Sequence, residues 1–173
     1  MATGRVKPTA FTVLITADRV DDVIPFLLLV FGCLLFRALG ALGVAFFANW
    51  QHSLRAALAI MFLLTASAHW GRKRIDLVRM IPPAFPGPGA IIAFTGVAEI
   101  AGAIGLLWDR TAPFASGGLL LLLIAVFPAN VHAARHALTI GGSEVPSLSV
   151  RTILQLIFLL ATFMAGFGIP NIH

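Results

Sequence analysis

The sequence predicts an all-α membrane protein: a four-helix transmembrane bundle preceded by one extra transmembrane helix, five spans in all. Three observations predict it. The chain of 173 residues is 59% hydrophobic and 11% charged, with a mean hydropathy of +0.96. A soluble domain averages about 45–50% apolar and about 25% charged, so too little polar surface remains to cover a water-exposed globule. The apolar residues also fall in long, nearly uncharged runs, not in the alternating segments of about ten residues that build an outer-membrane barrel. Finally, the connections between runs are too short to hold a second, soluble domain. These features exclude a disordered chain, a nucleic-acid-binding domain and an ordinary soluble enzyme, although the net charge is +5.

A spanning helix needs about 17–25 mainly apolar residues. Five stretches qualify: Val23 to Phe47, Leu54 to Trp70, Gly89 to Trp108, Pro113 to Val131 and Thr152 to Ile169. Residues 1–22 read as an N-terminal interfacial arm. Arg5 and Lys7 precede an apolar patch there, but Asp18, Arg19, Asp21 and Asp22 stand where a signal peptide would carry a small-residue cleavage site. Residues 23–47 form the additional helix, in which Arg37 either pairs with a carboxylate or reaches the outer headgroups. The Pro-rich stretch from Ile81 to Gly89 cannot continue a helix, and Gly141, Gly142 and Pro146 interrupt the chain again before the last span. Trp50, Trp70 and Trp108 fall at span ends, as an aromatic belt requires.

Lys and Arg placement sets orientation. With the N-terminus inside, Arg5, Lys7, Arg19, Arg72, Lys73, Arg74, Arg79, Arg135 and Arg151 lie inside, against Arg55 and Arg110 outside and Arg37 within the first span. The C-terminus then lies on the periplasmic or extracellular side, in a membrane expected to be a bacterial inner (plasma) membrane. The single cysteine, Cys33, permits no disulfide within the chain.

Ionisable groups inside a span are costly and usually face the bundle interior. Glu99 sits near the midplane of its span, with Gly96, Gly102 and Gly105 at three-residue spacing allowing close approach of another helix. His69 and Asn130 lie near the inner ends of the second and fourth spans, and Arg151 and Gln155, four residues apart, share a face at the start of the fifth. Depth alone gathers His69, Glu99, Asn130, Arg151 and Gln155 into a polar pocket in the inner half of the membrane, or into an interhelical network that only fixes the bundle. His132 and His136 have the one-turn spacing of a metal clip and, with His69, of a bis-imidazole haem, but no Cys or second carboxylate completes a recognisable metal site. No phosphate loop, nucleophile elbow or zinc-protease helix is present, so no catalytic motif marks the chain as an enzyme.

The combination His69-Trp70, then Arg79-Met80-Ile81-Pro82-Pro83 with Pro86, then Gly96 and Glu99, then Phe127-Pro128-Ala129-Asn130, then Arg151 with Gln155, resembles the DoxX-like membrane proteins. The resemblance covers residues 54–170 and implies a four-helix transmembrane domain, to which residues 1–47 are an addition. Some members of that family are named as subunits of a terminal quinol oxidase or of a thiosulfate to quinone oxidoreductase, others as accessory factors in oxidative-stress complexes. It therefore implies a small accessory or scaffold subunit in a quinone-linked redox context, with a partner subunit or a second copy as companions and His69, Glu99, Asn130, Arg151 and Gln155 as the characteristic polar residues. A quinone headgroup needs donors to its carbonyls, which Asn130, Gln155, His69 and Arg151 could supply. The alternative is a membrane enzyme or carrier for a lipid-like or small hydrophobic substrate, with Glu99 doing proton chemistry.

Overall fold

Seven helices and one short hairpin follow one another in the computed structural model, which describes residues 20–168. They are α1 (Val20–Ala41), α2 (Ala45–Ala48), α3 (Trp50–Ser67), α4 (Arg74–Met80), α5 (Pro88–Gly105), α6 (Ala112–Arg135), β1 (Thr139–Ile140), β2 (Ser143–Glu144) and α7 (Leu148–Phe167). The greater part of the interfacial arm, residues 1–19, lies outside the described residues.

Among the described residues, four helices are long and apolar enough to cross a membrane: Val23–Ala41 within α1, and α5, α6 and α7. Their outward faces carry large exposed apolar side chains such as Phe31, Phe94, Phe114 and Leu121, which suit a lipid bilayer and are compatible with an integral membrane protein. The remaining long helix, α3, is different because it is central. It packs against α1, α5 and α7, while α6 packs between α5 and α7. Ala57, Leu58, Met61 and Phe62 of α3 form the middle of the core with Ala103 and Leu106 after α5's midpoint, Leu119 of α6 and Ala165 of α7. A helix shielded by neighbours need not be apolar all round.

That placement lets α3 begin with polar residues. Asn49 caps it by accepting from the Gln51 amide at 2.9 Å. Gln51 Nε2 donates to the carbonyl of Gly168 at 3.1 Å and Arg55 Nε to that of Ala165 at 2.8 Å, so α3 satisfies carbonyls that α7 leaves unpaired at its C-terminus. Arg55, placed by the sequence at the outer end of the second span, is thus buried in the second turn of α3, only 8% exposed.

Two expectations are corrected. The first span does not run unbroken to Phe47: α1 stops at Ala41, Gly43 adopts φ +102° and the chain restarts as α2. Among the described residues Arg37 pairs with no carboxylate; it donates through Nη1 to the carbonyls of Phe47 and Ala48 at 3.3 and 2.7 Å, fastening the break. The fold is also not purely helical, since Thr139 pairs with Glu144 and Ile140 with Ser143 in an antiparallel hairpin. Gly141 and Gly142 at its turn have φ of +62° and +90°, the left-handed pair that a two-residue hairpin turn demands. Asp76 of α4 accepts from the Gly141 amide at 2.9 Å, and Met80, Ala133 and Val145 form a second small core beneath. Successive long helices alternate in direction, so α4 and the hairpin close the end of the bundle where α3 and α6 finish and α5 and α7 begin.

Candidate functional site

At that end, a cavity of about 840 Å3 opens between α3, α5, α6 and α7. Its walls are mostly apolar, including Met61, Phe62, Leu122 and Phe158, and α1 reaches it through Ile24 and Pro25. Four of the five residues singled out in the sequence line it: His69, Glu99, Asn130 and Gln155. Arg151 does not. It lines a smaller neighbouring cavity of about 120 Å3 whose wall shares Asn130, Gln155 and Phe158 with the large one.

Glu99 projects from the middle of α5 and its side chain is only 15% exposed. The Thr65 hydroxyl lies 2.9 Å from Glu99 Oε2 and 3.0 Å from the Phe62 carbonyl. His69 follows α3 by two residues, its Nδ1 3.9 Å from Glu99 Oε2 and 3.2 Å from each of the carbonyls of Thr65 and Ala66. Gly96 makes this closeness feasible. A Cβ there would sit 2.8 Å from His69 Cβ and 2.7 Å from Trp70 Cη2, so the absence of a side chain lets the His69-Trp70 turn press onto α5 one turn from Glu99.

The other pair is made by α6 and α7. Arg151 Nη1 donates to Asn130 Oδ1 at 2.7 Å, and Gln155 Nε2 donates to the Leu123 carbonyl at 2.6 Å. The five residues thus form two groups, His69 and Glu99, joined by Thr65, on one side of the cavity and Asn130 and Gln155, with Arg151 behind Asn130, on the other. Arg72 and Lys73 also line the cavity, beside the His69-Trp70 turn.

Thr65 was missed in the sequence. The signal was its position four residues before His69, which places both on one helix face, but threonine in an apolar run carries no chemistry until a carboxylate is seen opposite. Also missed was a cluster at the far end of the bundle. Arg55 Nη1 and His52 Nε2 both meet Asp109 Oδ1, the histidine at 3.1 Å. The Arg55 hydrogen bond, and after it the His52 contact, hold the Asp109 carboxyl below the usual carboxylate range. His132 and His136 have ring centroids 4.1 Å apart, with His136 Nδ1 2.9 Å from the His132 carbonyl. Among the described residues, no group of three or more His, Cys, Asp or Glu side chains is placed to hold a metal ion.

Neither a curated protein nor a solved structure matches the chain. A family model described as a domain of unknown function, DUF8561, matches residues 58–165, from the middle of α3 almost to the end of α7. With all five site residues inside the matched region, the chain belongs to the DUF8561 family.

Proposed function

We propose that this is a five-span, DoxX-like integral membrane protein that serves as a small accessory or scaffold subunit in a quinone-linked membrane redox setting. In this reading α3 is the fifth span, hidden from simple hydropathy by Gln51, His52, Ser53 and Arg55. The cavity end faces the cytoplasm of a bacterial inner membrane, because Arg72, Lys73, Arg74, Arg79, Arg135 and Arg151 gather there. The cavity holds an amphiphile, a quinone-class molecule or a lipid, with its polar end between Glu99 and Gln155 and its apolar body along Met61, Phe62, Leu122 and Phe158. A redox partner subunit or a second copy would dock on the lipid-facing helices.

The observation that carries the reading is the convergence of His69, Glu99, Asn130 and Gln155, from four separate segments, on one apolar-walled cavity. Native mass spectrometry of the detergent-released protein beside Glu99→Gln tests it. A defined extra mass on the parent, missing from the variant, is expected, and Arg151→Ala should lose it as well. Bare protein in every sample would overturn the ligand site and leave a scaffold whose polar residues only hold helices together.

One geometric observation favours a second reading. Thr65, Glu99 and His69 lie within hydrogen-bond or near hydrogen-bond reach on the cavity wall. That is an arrangement for proton transfer to a lipid-like or small hydrophobic substrate, and it requires turnover that disappears in Glu99→Gln.

A further inference from the structure

The donors and acceptors around the cavity are unequally spent. His69 Nδ1 faces two backbone carbonyls, each at 3.2 Å, and a carbonyl only accepts. In the neutral ring the hydrogen is therefore on Nδ1, and Nε2 is left as an acceptor. The Gln155 amide nitrogen is fixed in the same way by the Leu123 carbonyl at 2.6 Å, which leaves Oε1. Glu99 engages Thr65 through Oε2 and keeps Oε1. On the opposite wall Asn130 Oδ1 must be the oxygen, because its partner, Arg151 Nη1 at 2.7 Å, can only donate; Asn130 therefore keeps its NH2. Three of the lining residues of the helices and of the turn after α3 thus carry acceptors that no protein group meets among the described residues, against one, Asn130, that carries a spare amide donor; Arg72 and Lys73 add cationic donors from the loop that follows.

We infer that the cavity selects an amphiphile whose polar end donates hydrogen bonds, a hydroxyl-bearing molecule such as an alcohol or a phenol, over one whose polar end only accepts. The inference rests on the reading of the cavity as a ligand site and narrows it. A carbonyl, ether or ester head placed between Glu99 and Gln155 would bring an acceptor against His69 Nε2, Gln155 Oε1 and Glu99 Oε1, with the Asn130 amide as the donor on those helices; the basic Arg72 and Lys73 lie beyond them, on the loop after the His69-Trp70 turn. A site built to bond a substrate hydroxyl rejects the analogue that lacks it, because its own polar groups then stay unpaired. Within the quinone class, the same argument favours the reduced, dihydroxy form, whose two O–H groups match the spare acceptors. An ammonium head is disfavoured because Arg72 and Lys73 line the same cavity as the single carboxylate of Glu99.

The test uses the purified full chain in lipid nanodiscs with 4-decylphenol and its methyl ether, 4-decylanisole, which share the apolar tail and differ in the hydrogen-bond donor. Both are offered at equal concentration, the bound masses are read by native mass spectrometry, and each is normalised to its partition into empty nanodiscs. The phenol is expected to bind about tenfold or more tightly than the ether. His69→Phe, which removes one acceptor and keeps an aromatic ring, should narrow that ratio. Equal binding of the two probes, or tighter binding of the ether, overturns the selectivity and leaves the ligand site standing. Tighter binding of the ammonium probe 4-decylbenzylamine than of the phenol overturns the hydroxyl assignment, and binding of no probe sinks both the selectivity and the ligand site.

Discussion

The side-chain amide of Gln155 on α7 donates to the backbone carbonyl of Leu123 on α6 at 2.6 Å, a few residues before Pro128 inside that helix. Pro128 has no N–H to offer the carbonyl one turn back, and its ring crowds that carbonyl, which loosens the helix there. Where lipid offers no water, a neighbouring helix must serve the exposed backbone. The carbonyl freed in this way is that of Ile124; Gln155 bonds the adjacent one, of Leu123, in the same loosened turn, and so fixes α7 to α6 at the wall of the cavity.

Replacing Gln155 with Leu should therefore destabilise the bundle by about 0.6 kcal/mol, and by no more than about 1.7 kcal/mol, the range for interhelical hydrogen bonds in membranes. Thermal unfolding in detergent measures it. An unchanged melting temperature would show that the Leu123 carbonyl finds another donor.

At the other end of the bundle, the Asp109 carboxyl is held low by Arg55 and then by His52. Its folded pKa lies below its unfolded value of about 3.9, so its stabilisation is complete only above about pH 5 and is lost as the pH falls through the unfolded and then the folded value. The side chain is 72% exposed, so the contribution is small and weakens with salt. The parent should lose more thermal stability between about pH 5 and pH 3 than Asp109→Asn does. Parallel declines would count against it.

Small residues have opposite meanings along the helices. A Cβ on Gly102 would stand 2.5 Å from Leu119 Cγ, and Leu119 is a fully buried core residue, so Gly102→Ala should cost about 1–3 kcal/mol through overpacking. A Cβ on Gly117 meets nothing within 4 Å, and Gly117→Ala should stabilise α6 by about 0.5–1 kcal/mol. The two variants side by side in one unfolding series check the sign.

Ser116 and Thr162 are completely buried on α6 and α7, and their hydroxyls have no hydrogen-bond partner among the described residues. An unmet hydroxyl in an apolar seam is a cost, so Thr162→Val, nearly the same shape, should raise stability by about 1 kcal/mol. A fall in the melting temperature would reveal a partner for the hydroxyl.

The sequence by itself determined the apolar helices, the breaks between them and the depth of their polar residues, because helix length, proline and charge act locally along the chain. Depth alone was enough to bring His69, Glu99, Asn130 and Gln155 to one end of the bundle. What only the tertiary structure decided is which groups face one another. The central place of α3, which let Arg55 be buried at its outer end, follows from packing on three sides. The bonds Thr65 to Glu99, Gln155 to Leu123 and Arg55 to Asp109 each join segments distant in sequence. Hydrogen bonds are set by contact and direction across a helix interface, and those directions decide which donors and acceptors around the cavity are left unmet, which no spacing of residues along a single helix could specify.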